Sequence, residues 1–173
     1  MTTSTARLDP TDSRTFRRVL GTFPTGVVAV TANTADDGPV GMVIGSFTSI
    51  SIDPPLVAFS PSKTSTSWPK INGSRHFAVS ILGEDQHAVC AAIAEKSSDM
   101  LRQAAPRDGD RSNAPLVEGA LAWIECEVGA IHDAGDHWIV VARVLAFDTG
   151  PADKPLIFFK GAYSQISTCR RVE

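Results

Sequence analysis

Three stretches of this chain carry residue types that could do chemistry together. The first is Ser60-Pro61-Ser62-Lys63-Thr64-Ser65-Thr66-Ser67, a run of hydroxyls with one ammonium. It stands at the start of a predicted short helix, where free N–H groups and the helix dipole favour an anion such as a phosphate. A solvated, capped loop would read the same way. The second stretch, Gly41 to Leu56, sets glycines and serines along a strand and turn, where the backbone can be closely approached. An ordinary strand–turn–strand broken by Asp53-Pro54-Pro55 is the plainer alternative. The third is Gly135-Asp136-His137, in which the imidazole either works at a site or is a turn histidine bonded to Asp136 or to a carbonyl.

Other constellations are weaker. His132 and Asp133 with Asp136 and His137 are metal-ligand types, but two of each in one turn without further histidines do not make a metal site, and none is expected. Ser46 and Ser49 lack histidine and acid partners for hydrolase work. No Lys-Ser or Lys-Thr closes a phosphate loop of the Walker type, and Gly41-x-x-x-Gly45 is not a dinucleotide fingerprint. Cys90 and Cys126 read as small core residues, and Trp68 as either core or a wall of a site.

The elements that must position these residues are mostly strands. A β-branched run, Val27–Thr31, leads through the turn Asp36–Pro39 into Val40–Ile44 and makes a hairpin. Ser49–Ile52 and Leu56–Phe59 flank the proline break, and His76–Leu82 is a further strand. Ala120–Ile131 alternates Ile124, Cys126 and Val128 with Glu125 and Glu127, which predicts a strand wet on one side. His137–Phe147 and Leu156–Phe159 follow. Short helices are expected after a cap at Asp12 or Ser13, carrying Phe16, Val19 and Leu20 on one face, then near Thr64–Asn72 with Trp68 and Ile71 inward, and at Gln86–Ala94. Residues 96–113 show no helical or strand period and read as a surface excursion. The fold class is mainly β, an antiparallel closed or nearly closed sheet with a few short flanking helices.

At 173 residues and 43% apolar, the chain has the size and composition of one domain, with residues 1–13 a flexible N-terminal segment and residues 14–173 the folded unit. A net charge of −3 with 20% charged residues leaves no basic footprint for nucleic acid or an anionic membrane surface. No window approaches the roughly 18 apolar residues of a membrane span, and the first residues lack the apolar core of a signal peptide. Three scattered cysteines, Cys90, Cys126 and Cys169, form neither a disulfide framework nor a zinc ribbon and fit a reducing cytoplasm.

Taken in order, the motifs resemble those of the short-chain flavin reductases of the split-barrel type, the reductase components of two-component flavin monooxygenases. Phe16-Arg17 and Phe23–Val27 are similar to that family's opening, Gly41–Leu56 to its ring-edge strand and turn, and Lys63–Ile71 to its phosphate segment. Phe77–Leu82, Gly135-Asp136-His137 and Pro155–Tyr163 resemble its next strand, its Gly-Asp-His signature and its last strand. The resemblance spans roughly residues 14–165 and implies a Greek-key split β-barrel that forms a homodimer. It further implies hydride transfer from NADH, with NADPH as the alternative, to FAD or FMN. The reduced flavin would then pass to a separate oxygenase. A protein of this fold that retains its flavin and reduces another acceptor, or a non-catalytic flavin-binding barrel, is the alternative.

By the same resemblance, Met42, Val43, Ile44, Gly45, Ser46 and Phe47 lie along the ring. Ser60, Ser62, Lys63, Thr64, Ser65 and Thr66 hold the phosphate, and Trp68, Phe159 and Tyr163 complete the cofactor site. His137 positions the nicotinamide and flavin rings. Among the cations Arg17, Lys63, Arg143 and Lys160, Lys63 is the first choice for the phosphate. Val43 and Gly45 depart from the hydroxyl residue and serine of many relatives, which implies a loosely held flavin.

Overall fold

The computed structural model describes residues 8–167. In chain order its elements are α1 Ser13–Leu20, β1 Thr25–Gly26, β2 Val28–Thr34, β3 Gly38–Ile44, β4 Thr48–Ser51, β5 Leu56–Phe59, α2 Trp68–Ser74 and β6 His76–Ile81. They continue with α3 His87–Ala94, α4 Ser98–Ala104, β7 Arg107–Asp108, β8 Pro115–Leu116, β9 Ala122–Ala134, β10 His137–Thr149, β11 Ile157–Phe159 and β12 Ala162–Ser164. Most of the expected flexible segment 1–13, and Cys169, lie outside the described residues.

The protein is mainly β and antiparallel. Its principal sheet has the strand order β3-β2-β6-β9-β10-β5-β4, with β3 and β4 at its edges. A second, small sheet pairs β1 with β11 and β11 with β12. The β2–β3 hairpin turns where predicted: Thr34 Oγ1 accepts from Asp37 N at 3.1 Å and donates to the Gly38 carbonyl at 3.0 Å. Gly38 takes a φ of 70° there, a conformation that side chains disfavour.

The unbroken apolar run of β2 is explained by burial on both faces. Val28, Val30 and Ala32 enter the main core with Phe59 and Phe77, whereas Val27 and Ala29 join a second cluster beneath α3 and α4. Strands wet on one side alternate; a strand covered on both sides has no polar face to display. Phe59 is the hub of the main core, edge-on to Trp68 at 5.4 Å and to Phe77 at 5.5 Å between ring centroids.

Strands β9 and β10 run thirteen residues each and dominate the sheet. Their register shifts between Val140 and Ala142, where Gly129 faces Val141 so closely that a Cβ would stand 2.8 Å from the Val141 carbonyl. Such bulges bend a long ribbon.

Two expectations are corrected. The segment 96–113 is not a surface excursion: it contains α4, whose Leu101 is buried with neighbouring Ala105 against the second cluster. Nor is β9 wet along its whole polar side. Glu125 is only 8% exposed, because the turn between β7 and β8 folds over it and donates three hydrogen bonds to its Oε2, from Arg111 N, Ser112 N and Ser112 Oγ. Helix α1 starts as predicted on Asp12, which accepts from Arg14 N and Thr15 N, but its Phe16, Val19 and Leu20 are exposed.

Candidate functional site

Two chain segments far apart in sequence are stitched together at one end of the sheet. The loop after β5 carries the hydroxyls, and the β9–β10 hairpin carries the histidine. His137 pairs with Ala134 across the hairpin, so Gly135-Asp136 is a two-residue turn, and Gly135 has the positive φ, 68°, that such turns require. Ser62 bridges to His137 as a short antiparallel ladder, Lys63 N donates to the Asp136 carbonyl at 2.9 Å and Trp138 N donates to the Pro61 carbonyl at 2.9 Å. The backbone itself therefore fixes the histidine turn against the hydroxyl loop.

Side chains reinforce this seam. His137 Nδ1 lies 2.7 Å from Asp136 Oδ1, which leaves Nε2 without a protein partner among the described residues. The hydrogen bond and charge of His137 hold the Asp136 carboxyl below its usual range, with a smaller pull from Arg17 of α1. Helix α1 thus flanks the turn. Lys63 Nζ sits 2.5 Å from Asp133 Oδ2 and 4.8 Å from the centre of the Trp138 ring. That bond holds the Asp133 carboxyl low.

The ring-edge segment reaches the same place. Ser46 Oγ accepts from Ser60 N at 2.9 Å and approaches the Ser60 carbonyl at 3.3 Å, so the residues after β3 are clipped to the loop after β5. Met42, Ile44 and Phe47 pack their side chains on the main core, and Val43 packs on the α3 side. These four side chains are half-buried, and Gly45 and Ser46 between them are exposed. Gly45 is explained by proximity: a Cβ there would stand 2.6 Å from Thr25 Oγ1 of β1.

Within the hydroxyl loop, Ser62 Oγ and Thr64 Oγ1 are 2.9 Å apart, and Ser65 Oγ accepts from Trp68 N at 3.1 Å. Thr66 Oγ1 accepts from Lys96 Nζ at 2.6 Å. Thr66, Ser67, Lys70 and Lys96 line a cavity of ≈ 230 Å³ floored by Gly41 and Leu101. Lys70 is paired with Asp37 at 3.0 Å.

The structure therefore brings together Ser46, Ser60, Ser62, Lys63, Thr64, Ser65, Thr66 and His137. Trp68 belongs to the core, nearly fully buried against Phe59, and supplies no wall. The Phe159 ring lies under Lys160, and Tyr163 stacks on His87 at 4.9 Å. Among the described residues they share no hydrogen bond or ring contact with the stitched group. Their strands share a sheet with β1, whose Thr25 meets Gly45, and Lys160 N donates to the carbonyl of Gly21 just after α1. Arg143 is spent on Glu127, its cross-strand partner, at 2.6 Å. Among the described residues no group of three or more His, Cys, Asp or Glu could hold a metal ion.

Two residues that touch the hydroxyl loop carried no signal in the sequence. Asp133 was weighed only as a metal ligand, because its partner Lys63 is 70 residues away. Lys96 fell in the segment without a readable period.

Comparison with known proteins bears on this arrangement. A model of the flavin reductase like domain matches residues 20–167. A flavin reductase of Pseudomonas putida is 44% identical over 152 residues, covering 88% of this chain and 89% of that protein. The reductase subunit HsaB of a flavin-dependent monooxygenase from Rhodococcus jostii (strain RHA1) is 41% identical over 93% of this chain and 82% of its own length. The crystal structure of the Streptomyces globisporus C-1027 NADH:FAD oxidoreductase SgcE6, in complex with NAD and FAD fragments, superposes with a TM-score of 0.86 at 35% identity, covering 94% of this chain and 98% of that one. With its domain matched almost end to end and its strands superposed on theirs, the chain belongs to the flavin reductase like family.

Proposed function

We propose that this chain moves hydride from NADH to FAD or FMN and releases the reduced flavin to a separate flavin-dependent oxygenase. The observation that carries the reading is the seam itself, which holds a hydroxyl-rich phosphate loop, an open backbone edge and a positioned histidine side by side. The donor set fits a phosphorylated flat ring, since hydroxyls and a cation lie next to small residues that leave the backbone accessible. When bound, the flavin supplies the hydride acceptor. The protein's part is to stack the rings at reactive distance and to stabilise the charge that grows on the acceptor.

In this reading the backbone of Met42–Phe47 follows the ring edge, and Ser60, Ser62, Thr64, Ser65 and Thr66 surround the phosphate. Lys96 replaces Lys63 as the phosphate's cation, because Lys63 is already paired with Asp133 whereas Lys96 meets Thr66 at the cavity. His137, turned by Asp136, offers Nε2 to the nicotinamide. Phe159 and Tyr163 stay candidates for the far edge of the site, on the strands beside β1 and Gly45. NADPH and NADH are distinguished by kinetics alone.

The sheet is proposed to curl into the Greek-key split barrel, with residues 14–173 as one domain. Met42 and Ile44 from one edge strand and Phe47 from just before the other pack on the same core as Val57 and Phe59, which supports the curl. A homodimer is proposed from apolar surface left uncovered. Ile52 is 93% exposed and Phe147 77%, beside an apolar groove lined by Phe47, Leu56, Ile124 and Val144. Among the described residues no helix is long and apolar enough to cross a membrane, and the cytoplasm is the proposed compartment.

The reading is tested by steady-state NADH oxidation against added flavin, with gel filtration of the protein mixed with flavin. Saturation with free FAD or FMN and separation of flavin on the column are expected. A yellow cofactor that co-elutes stoichiometrically, with turnover indifferent to added flavin, would overturn the diffusible-product reading.

A further inference from the structure

Lys63 has two partners, and both belong to one cross-strand pair. Asp133 on β9 and Trp138 on β10 are register partners next to the hairpin turn; the ammonium of Lys63 reaches the carboxylate of one at 2.5 Å and the ring of the other at 4.8 Å. Trp138 follows His137 directly. A cation gripped by both members of that pair fixes the hairpin tip in roll as well as in distance, which the few backbone bonds between Pro61–Lys63 and Asp136–Trp138 do not do alone. The Lys63 side chain is 32% exposed, so it is partly withdrawn from solvent over the indole face. One of its three donors is committed to Asp133 and its charge lies over the indole, so it is held to the hairpin before any ligand arrives.

We propose that Lys63, Asp133 and Trp138 form a strut that sets the position of His137 relative to the hydroxyl loop, so that Lys63 and Asp133 are positioning residues for the nicotinamide half of the reaction rather than ligands of the flavin phosphate. This rests on the hydride-transfer reading given above. The reason it affects rate is geometric: in that reading the flavin follows the backbone of Met42–Phe47 while His137 places the nicotinamide, and a displacement of about 1 Å at a reacting pair lowers rate by up to about a hundredfold. It leaves global stability nearly untouched, because exposed ion pairs contribute little.

The test compares Lys63→Ala, Asp133→Ala and Lys63→Arg with the parent protein. Amide hydrogen exchange on the protein without flavin or NADH should rise in residues 60–64 and 132–138 together for either alanine variant, while the melting temperature holds. In kinetics, kcat/KM for NADH should fall about tenfold in both, with the flavin Kd changed less than about twofold, and Lys63→Arg should restore both readouts because a guanidinium can meet the carboxylate and the indole face. The strut is overturned if Lys63→Ala raises the flavin Kd about tenfold while Asp133→Ala changes nothing. It is equally overturned if exchange in the hairpin is unaltered by Lys63→Ala. The exchange arm needs no turnover, so a parent protein that failed to reduce flavin would refute the functional reading and leave the strut judged by exchange alone.

Discussion

Replacing Glu125 by glutamine or alanine should destabilise the fold in a pH-dependent way, and the structure gives both the size and the sign. Glu125 Oε2 accepts from Arg111 N at 2.8 Å, Ser112 N at 2.6 Å and Ser112 Oγ at 2.8 Å, and Gly109 stands so close that a Cβ there would overlap the carboxylate. Alanine strands two backbone N–H groups and a hydroxyl under the β7–β8 turn. Hydrogen bonds to a charged acceptor contribute about 1.5–3 kcal/mol each, and part of the loss is recovered by water, so about 3 kcal/mol is the expected cost. Glutamine keeps one acceptor and loses the charge, for about half of that. Burial pushes the Glu125 carboxyl up, but the bonds from Ser112 and Arg111 pull harder and leave it below its ordinary value.

A carboxyl whose pKa is lower folded than unfolded contributes stability that is complete above the unfolded value and fades as pH falls through the folded one. The parent protein should therefore lose its advantage over Glu125→Gln in acid. Urea unfolding at neutral pH and again below the ordinary glutamate pKa would measure this, as a gap between the midpoints that narrows on acidification. A gap of the same size at both pH values, or none at neutral pH, would refute the account of the buried carboxylate.

Three further outcomes follow from the site and its supports. Lys96→Ala should raise the flavin Kd about tenfold, the loss of one charge-assisted contact, in a fluorescence titration; an unchanged Kd would move the phosphate elsewhere. Trp68→Ala should cost about 3–5 kcal/mol in unfolding experiments, as a core truncation, whereas Trp68→Phe should leave the flavin Kd within about twofold of the parent. Gly45→Ala should cost about 1–3 kcal/mol, because its Cβ would stand 2.6 Å from Thr25 Oγ1, and adding Thr25→Ala should recover part of that loss. An additive double variant would contradict the close approach.

What was readable in the sequence was what local patterning encodes. The β2 run, the turn at Gly38, the inward Trp68 and Ile71 and the alternation of Ile124, Cys126 and Val128 all appear as read. Helix α4 was not readable, since it is seven residues long and buries Leu101 and then Ala105 just beyond its end, too few positions to make a period. Glu125 was misplaced for a related reason. Alternation assigns a residue to a face of the sheet, and nothing local says that a distant turn covers that face. The Lys63–Asp133 pair joins positions 70 apart, and only the fold brings them together. The hydroxyl loop was legible as a polar loop, while its contacts with Lys96 and with the histidine turn exist only in the fold.

In the proposed reading the seam transfers hydride catalytically to a flavin that comes and goes. Anaerobic mixing of a trace of the protein with excess FAD or FMN and NADH tests it most directly, by following the visible absorbance of the flavin and the near-ultraviolet absorbance of NADH. One flavin should be bleached per NADH consumed, over many turnovers of each chain. Bleaching that stops at one flavin per chain, or NADH and flavin that persist together, would contradict it.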